Sequence, residues 1–117
     1  MAGTGLDSLF NSALTATVIN IKLSGGRLYG IEVQNANTVN EFIQVFDAVA
    51  ADVTLGTTTP KLALALPKGV SASDVGIMDK WWDLGIDFRS GISLAATTTP
   101  TGLTAPTTAL VINVLYK

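Results

Sequence analysis

Three aspartates at four-residue spacing, Asp79, Asp83 and Asp87, with Asp74 just before them, form the main carboxylate cluster of the chain. On a helix they would share a face. Oxygen-ligand metal binding needs a tight loop that alternates Asp or Asn with Gly, and Asp79-Lys80-Trp81-Trp82-Asp83 does not supply it. The cluster therefore reads as a solvated acidic rim. Two carboxylates can also cleave glycosides when one is held protonated across the sugar ring from the other, but nothing in the sequence fixes a pair at such a distance. Ser and Thr hydroxyls are abundant, yet a nucleophile needs a base, and no Gly-x-Ser-x-Gly turn is present. The chain has no Cys and no His. That removes thiolate nucleophiles, disulfides, zinc sites of the Cys-containing kinds and the commonest general base. The expectation is a protein that is not an enzyme and carries no cofactor and no metal.

The most pointed feature is Trp81-Trp82. Adjacent side chains in a strand or turn face different ways, so one indole is expected to enter the core. The other is expected to serve as a sugar platform, as an anchor in a protein interface, or as a cap on the end of the fold, since exposed Trp concentrates at interface hot spots. A second set of apolar anchors, Leu6, Leu9 and Phe10, lies near the N-terminus. These five residues are the expected partner contacts.

The elements that must position them are mostly strands. Ile19, Ile21 and Leu23 alternate with Asn20 and Lys22, and Tyr29, Ile31 and Val33 alternate with Glu32 and Gln34. That period of two marks half-buried strands, and Ser24-Gly25-Gly26-Arg27 between them predicts a tight hairpin turn. Glu41-Phe42-Ile43-Gln44-Val45-Phe46-Asp47 is apolar on both faces, as a central strand is. Val53 to Leu55 predicts a short strand. In Leu62-Ala63-Leu64-Ala65-Leu66 the leucines take one face and the alanines the other, where a neighbour is expected to approach closely. Further strands are expected at Ile86-Asp87-Phe88, at Gly91 to Leu94 and at Ala109 to Tyr116. Val70 to Leu84 is expected to be a loop with one helical turn.

Before residue 17 the spacing of Leu6, Leu9, Phe10, Ala13 and Leu14 suits one helical face, capped by Asp7 or Ser8, while Gly5 and Asn11 weaken a helix. Residues 1–16 are thus read as an N-terminal arm or short helix, and 17–117 as one domain. Seven or eight short strands with Gly and Pro turns predict an all-β, antiparallel β-sandwich, jelly-roll-like. Thr57-Thr58-Thr59-Pro60 recurs as Thr97-Thr98-Thr99-Pro100. Thr before Pro is a good extended exit from a strand, and one echoed tetrapeptide does not make a repeat fold.

Composition narrows the function further. Of 117 residues, 48% are hydrophobic and only 14% charged, with a net charge of -2, where an ordinary soluble domain is about 25% charged. Mean hydropathy is +0.45 and the sequence pI about 4.7. Seven Lys and Arg spread along an acidic chain do not make the clustered basic face that nucleic acid needs. The alternating stretch Leu62 to Leu66 stops at Pro67, far short of the ~20 residues of a membrane-spanning helix, and Met1-Ala2-Gly3-Thr4-Gly5-Leu6-Asp7 has no basic start or apolar block. Neither nucleic acid nor membrane is an expected partner, and synthesis in the cytoplasm is expected. A surface so poor in charge suits a chain that lives against neighbours, as an assembly component does.

Several stretches carry a resemblance. They are Phe46-Asp47-Ala48, then Asp52-Val53-Thr54-Leu55-Gly56-Thr57-Thr58-Thr59-Pro60-Lys61-Leu62, then Phe88-Arg89-Ser90-Gly91-Ile92-Ser93, Ala96-Thr97-Thr98-Thr99-Pro100 and Thr104-Ala105-Pro106. In them the chain resembles small virion proteins of tailed bacteriophages and prophages, over roughly its C-terminal two thirds. The resemblance implies a jelly-roll decoration or cement protein, made in the host cytoplasm and placed on the capsid surface of the virion. Its implied partners are the major capsid protein, whose subunits it would bridge, and copies of itself in a trimer. It implies no particular contact residue. A tail or fibre sandwich that binds host glycan through Trp81 or Trp82, and a neck or tail-tube component, share the same composition.

Overall fold

The computed structural model describes residues 5–117. The chain forms eight strands: β1 (Asp7–Leu14), β2 (Ile19–Lys22), β3 (Gly26–Asn35), β4 (Glu41–Phe46), β5 (Leu62–Leu66), β6 (Gly76–Phe88), β7 (Ile92–Thr97) and β8 (Leu110–Tyr116). A single 3₁₀ turn, Ala50–Asp52, lies between β4 and β5. Two four-stranded antiparallel sheets result, ordered β1-β8-β3-β6 and β2-β7-β4-β5. Successive strands alternate between the sheets except at the β4–β5 pair, which makes the sandwich a jelly roll. The shortest dimension is 20 Å, the thickness of two sheets about 10 Å apart with side chains on their outer faces.

The core lies between the sheets. From the first sheet Leu14, Leu28, Ile31, Val33, Ile112 and Val114 point inward, and from the second Ile21, Ile43, Val45, Leu66, Ile92 and Leu94 meet them, all 6% exposed or less. One edge of β4 pairs with the leucine strand β5 and the other with β7. The central position expected of Glu41–Phe46 is therefore its position in the fold.

Four expectations need correction. The N-terminal segment is neither arm nor helix from Asp7 onward, because it pairs as strand β1 with β8; residues 1–4 lie outside the described residues. A bulge between Asn11 and Leu14 inserts one residue, so inward positions fall at Leu9 and Leu14 and the spacing imitates a helical stripe. The hairpin over Ser24 to Arg27 is absent, because β2 pairs with β7 and β3 with β6 and β8, in different sheets. Gly25 serves close approach there: a Cβ on it would stand 2.8 Å from the Arg89 carbonyl oxygen. Val53 to Leu55 forms no strand but part of a turn. Val70 to Leu84 is no loop with a helical turn, since β6 begins at Gly76 and runs for 13 residues.

The two sheets differ in what covers them. All six residues of β7 are buried, although only alternate ones face the core. The outward set is sealed by the chain's own loops. Gln44 Nε2 donates to Thr97 Oγ1 at 2.7 Å and to the Gly102 carbonyl at 3.0 Å, and Thr97 Oγ1 donates to the Thr99 carbonyl at 2.7 Å. This straps the β7–β8 loop across the sheet. From the other side Ser93 Oγ donates to the Ala48 carbonyl, and the Leu103 side chain lies against Gly56, whose φ of +82° suits glycine. No such cover lies over the outer face of β1-β8-β3-β6, where Phe10, Glu32, Gln34, Ile77 and Trp81 are exposed.

Candidate binding surface

Register fixes what stands beside what on that bare face. One row across the sheet runs Phe10, Asn113, Glu32, Asp79, and the next runs Ser8, Leu115, Gly30, Trp81. Phe10 is 64% exposed and Trp81 50% exposed. They occupy opposite margins of one face, three strand spacings of about 4.8 Å apart. Leu6 precedes β1 and is exposed. The other two expected contacts face inward: Leu9 and Trp82 pack against the core. The Trp pair thus divides as the strand period requires, Trp82 in and Trp81 out.

Trp81 is seated by its neighbours. Its indole lies over Gly30, where a Cβ would stand 2.5 Å from the ring's Cε3, so any larger residue would lift the ring off the sheet. On one side is the Tyr29 ring, 6.4 Å away between centroids and tilted by 43°. On the other is a groove of about 190 Å³ bounded by Trp81, Glu32, Asp79, Lys80, Asn113 and Leu115. Asn113 Nδ2 reaches Glu32 Oε1 at 3.5 Å, a long contact that leaves both polar ends accessible to a ligand.

Immediately beyond Trp81, β6 bulges. Leu28 stands opposite Ile86 and Gly30 opposite Trp81, so one residue of β3 faces four of β6, 82–85. Gly85 takes φ +74°, and Arg27 pins the bulge by donating to the Leu84 carbonyl at 2.7 Å and pairing with Asp87 at 2.9 Å. The bulge breaks the spacing of the three aspartates: Asp79 enters the groove, Asp83 rides in the bulge and Asp87 meets Arg27. Among the described residues no three His, Cys, Asp or Glu gather as a metal-binding group.

The four sheet edges are also unequal. Exposed edges invite pairing with other chains and are usually blunted. β2 has four residues and Lys22, while β5 has five residues between Pro60-Lys61 and Pro67-Lys68. β6 is bulged, and its exposed Lys80 stands opposite the core residue Ile31, on the inward side. β1 has eight residues with Asp7 as its sole charge, and residues 7–11 pair regularly with β8 before the bulge. It carries a bulge after Asn11 but no Lys or Pro, and residues 7–11 make it the least blunted edge among the described strands.

Sequence reasoning missed Gly30, Glu32, Asn113 and Leu115 as groove residues. The available signal was Gly30, an isolated glycine within a strand pattern, which marks close approach by another group. No family model matches the chain, and neither the curated proteins nor the solved structures give a significant match.

Proposed function

We propose that the chain is a decoration protein of a bacteriophage head, which docks on the outer capsid shell along β1 and bridges neighbouring coat subunits. The observation that carries this reading is the least blunted edge, β1, with Leu6 and Phe10 exposed on it. Such an edge gives main-chain hydrogen bonds to an added strand, and exposed apolar side chains beside it give the contact its area. The low charge content and the resemblance of the segments around Asp47, Thr57 and Ser90 support the same reading. A ligand that binds the assembled shell and not its free subunits stabilises the shell by mass action, and many modest contacts add through avidity.

The experiment is co-sedimentation with shells assembled without the protein. Wild-type chain is expected to pellet with the shells and to raise the temperature at which they open. A variant with Ser8→Lys and Phe10→Lys is expected to bind at least about tenfold more weakly, since lysines on an edge oppose strand addition. Failure of the wild type to pellet, or equal binding by the variant, overturns the reading.

A further inference from the structure

The Trp81 groove spans β6, β3 and β8 on the outer face of the sheet, distinct from the free outer edge of β1. Its walls are chemically mixed. One is the Trp81 indole, half exposed and seated against Gly30. The adjacent register row carries two carboxylates, Glu32 and Asp79, directly across from one another, with the Asn113 amide next in that row and Leu115 in the row of Trp81. A groove of about 190 Å³ holds about six waters at ~30 Å³ each, the scale of one six-membered ring with its substituents. It is too small for a folded segment.

A ligand complementary to these walls has an apolar flat face on one side and hydrogen-bond donors around its rim. A pyranose meets both requirements. Its axial C–H groups can lie on the indole face, and its hydroxyls can donate to the carboxylates and the Asn113 amide oxygen, in bonds that a charged acceptor strengthens. We propose that this groove is a binding site for a single sugar unit of a glycan, with Trp81 as the stacking platform and Glu32, Asp79 and Asn113 as the hydroxyl partners. A purely apolar ligand would leave two carboxylates desolvated without a partner. Gly30 is a positioning residue, since it sets the height of the indole.

The test uses the full chain with Trp82→Phe, which leaves Trp81 as the sole indole, and reads its fluorescence against a panel of neutral mono- and disaccharides. A saturable change with at least one sugar is expected at millimolar concentration. Trp81→Ala, followed by calorimetry, is expected to weaken that binding by at least about tenfold. Glu32→Gln with Asp79→Asn is expected to weaken it while leaving the unfolding midpoint nearly unchanged. Gly30→Ala is expected to weaken it through the displaced ring, with a shifted emission maximum that reports the new ring position. Leu6→Lys, at a position that precedes β1 and lines no part of the groove, should leave sugar binding intact, which separates this site from docking along β1. No response to any sugar, or response to tetramethylammonium alone, overturns the assignment.

Discussion

Glu41 is a buried carboxyl without a partner. It opens β4 opposite Leu66, on the side of Ile43 and Val45, and both its carboxylate oxygens are buried with no hydrogen-bond partner. Burial pushes its pKa above the ordinary 4.5. The folded state therefore keeps a proton at pH values where the unfolded chain has lost it. Stability from this group is greatest below the unfolded pKa and falls as pH rises through the folded one. Glu41→Met is expected to stabilise the protein at neutral pH by roughly 1–3 kcal/mol, the cost of an unsatisfied buried polar group. It should also flatten the decline of the denaturant midpoint as pH rises above the ordinary 4.5; an unchanged slope would show that Glu41 does not cause it. Asp47 has the opposite sign. Burial works to raise its pKa, but N–H bonds from Ser90, Arg89 and Gly91 and the charge of Lys61 outweigh it and bring it below 3.8. Its contribution is present above the unfolded pKa and is lost as pH falls through the lowered one. Arg89 and Ser90 lie 42 and 43 residues beyond Asp47 in the chain, and the fold joins them: Asp47 Oδ1 accepts from the Arg89 and Ser90 N–H groups at 2.9 and 2.8 Å.

At the scale of elements, the strands legible in the sequence are those that hold an alternation or an apolar run over part of their length, even where, as in β2 and β3, the register shifts by a residue. β2, β3, β4, β5, β7 and β8 alternate or run apolar over four to ten residues, and the β period finds them. β1 and β6 lose phase through bulges. One inserted residue in β1 makes a strand look like a helix, and the bulge in β6 throws Leu84 to the surface between Trp82 and Ile86, which both pack on the core. The groove was half legible: Trp81 stood out by type, whereas Glu32 and Asn113 reach it only through pairing across 81 residues. A bulge held by one positive-φ glycine also has a defined weakness. Gly85→Ala would put a Cβ 3.0 Å from the Tyr29 ring at φ +74°. It is expected to cost roughly 1–3 kcal/mol and to disturb the Trp81–Tyr29 contact. Chemical denaturation and near-ultraviolet circular dichroism check both. A loss within about 0.5 kcal/mol with an unaltered aromatic signal would mean that the bulge does not hold the ring.

Across the whole molecule the two sheets divide the work. In β2-β7-β4-β5 the inner strand β7 is buried on both faces, by the core and by loops strapped through Gln44 and Ser93, while the edge strand β5 exposes Ala63 and Ala65. The other sheet is covered on one face and keeps the least blunted edge and the Trp81 groove. Local stability follows burial. Amide hydrogen exchange is therefore expected to be slowest in β7, whose residues are all buried, and fastest among the strands in β1, with a spread of at least about a hundredfold. Equal protection of β1 and β7 would contradict this division. Replacing Gln44 by Leu removes the strap and is expected to raise exchange in the β7–β8 loop more than in β3.

The strand order also bears on how the chain is born. β2-β7-β4-β5 has all its members once Thr97 has been translated, but β8 lies between β1 and β3. Until Tyr116 leaves the ribosome, those two strands have no common neighbour. At ~5–20 residues per second the wait from β7 to β8 is roughly 1–4 s. For that interval the nascent chain presents the apolar residues of β1 and β3 without their partner, and chaperones have the most reason to hold it then.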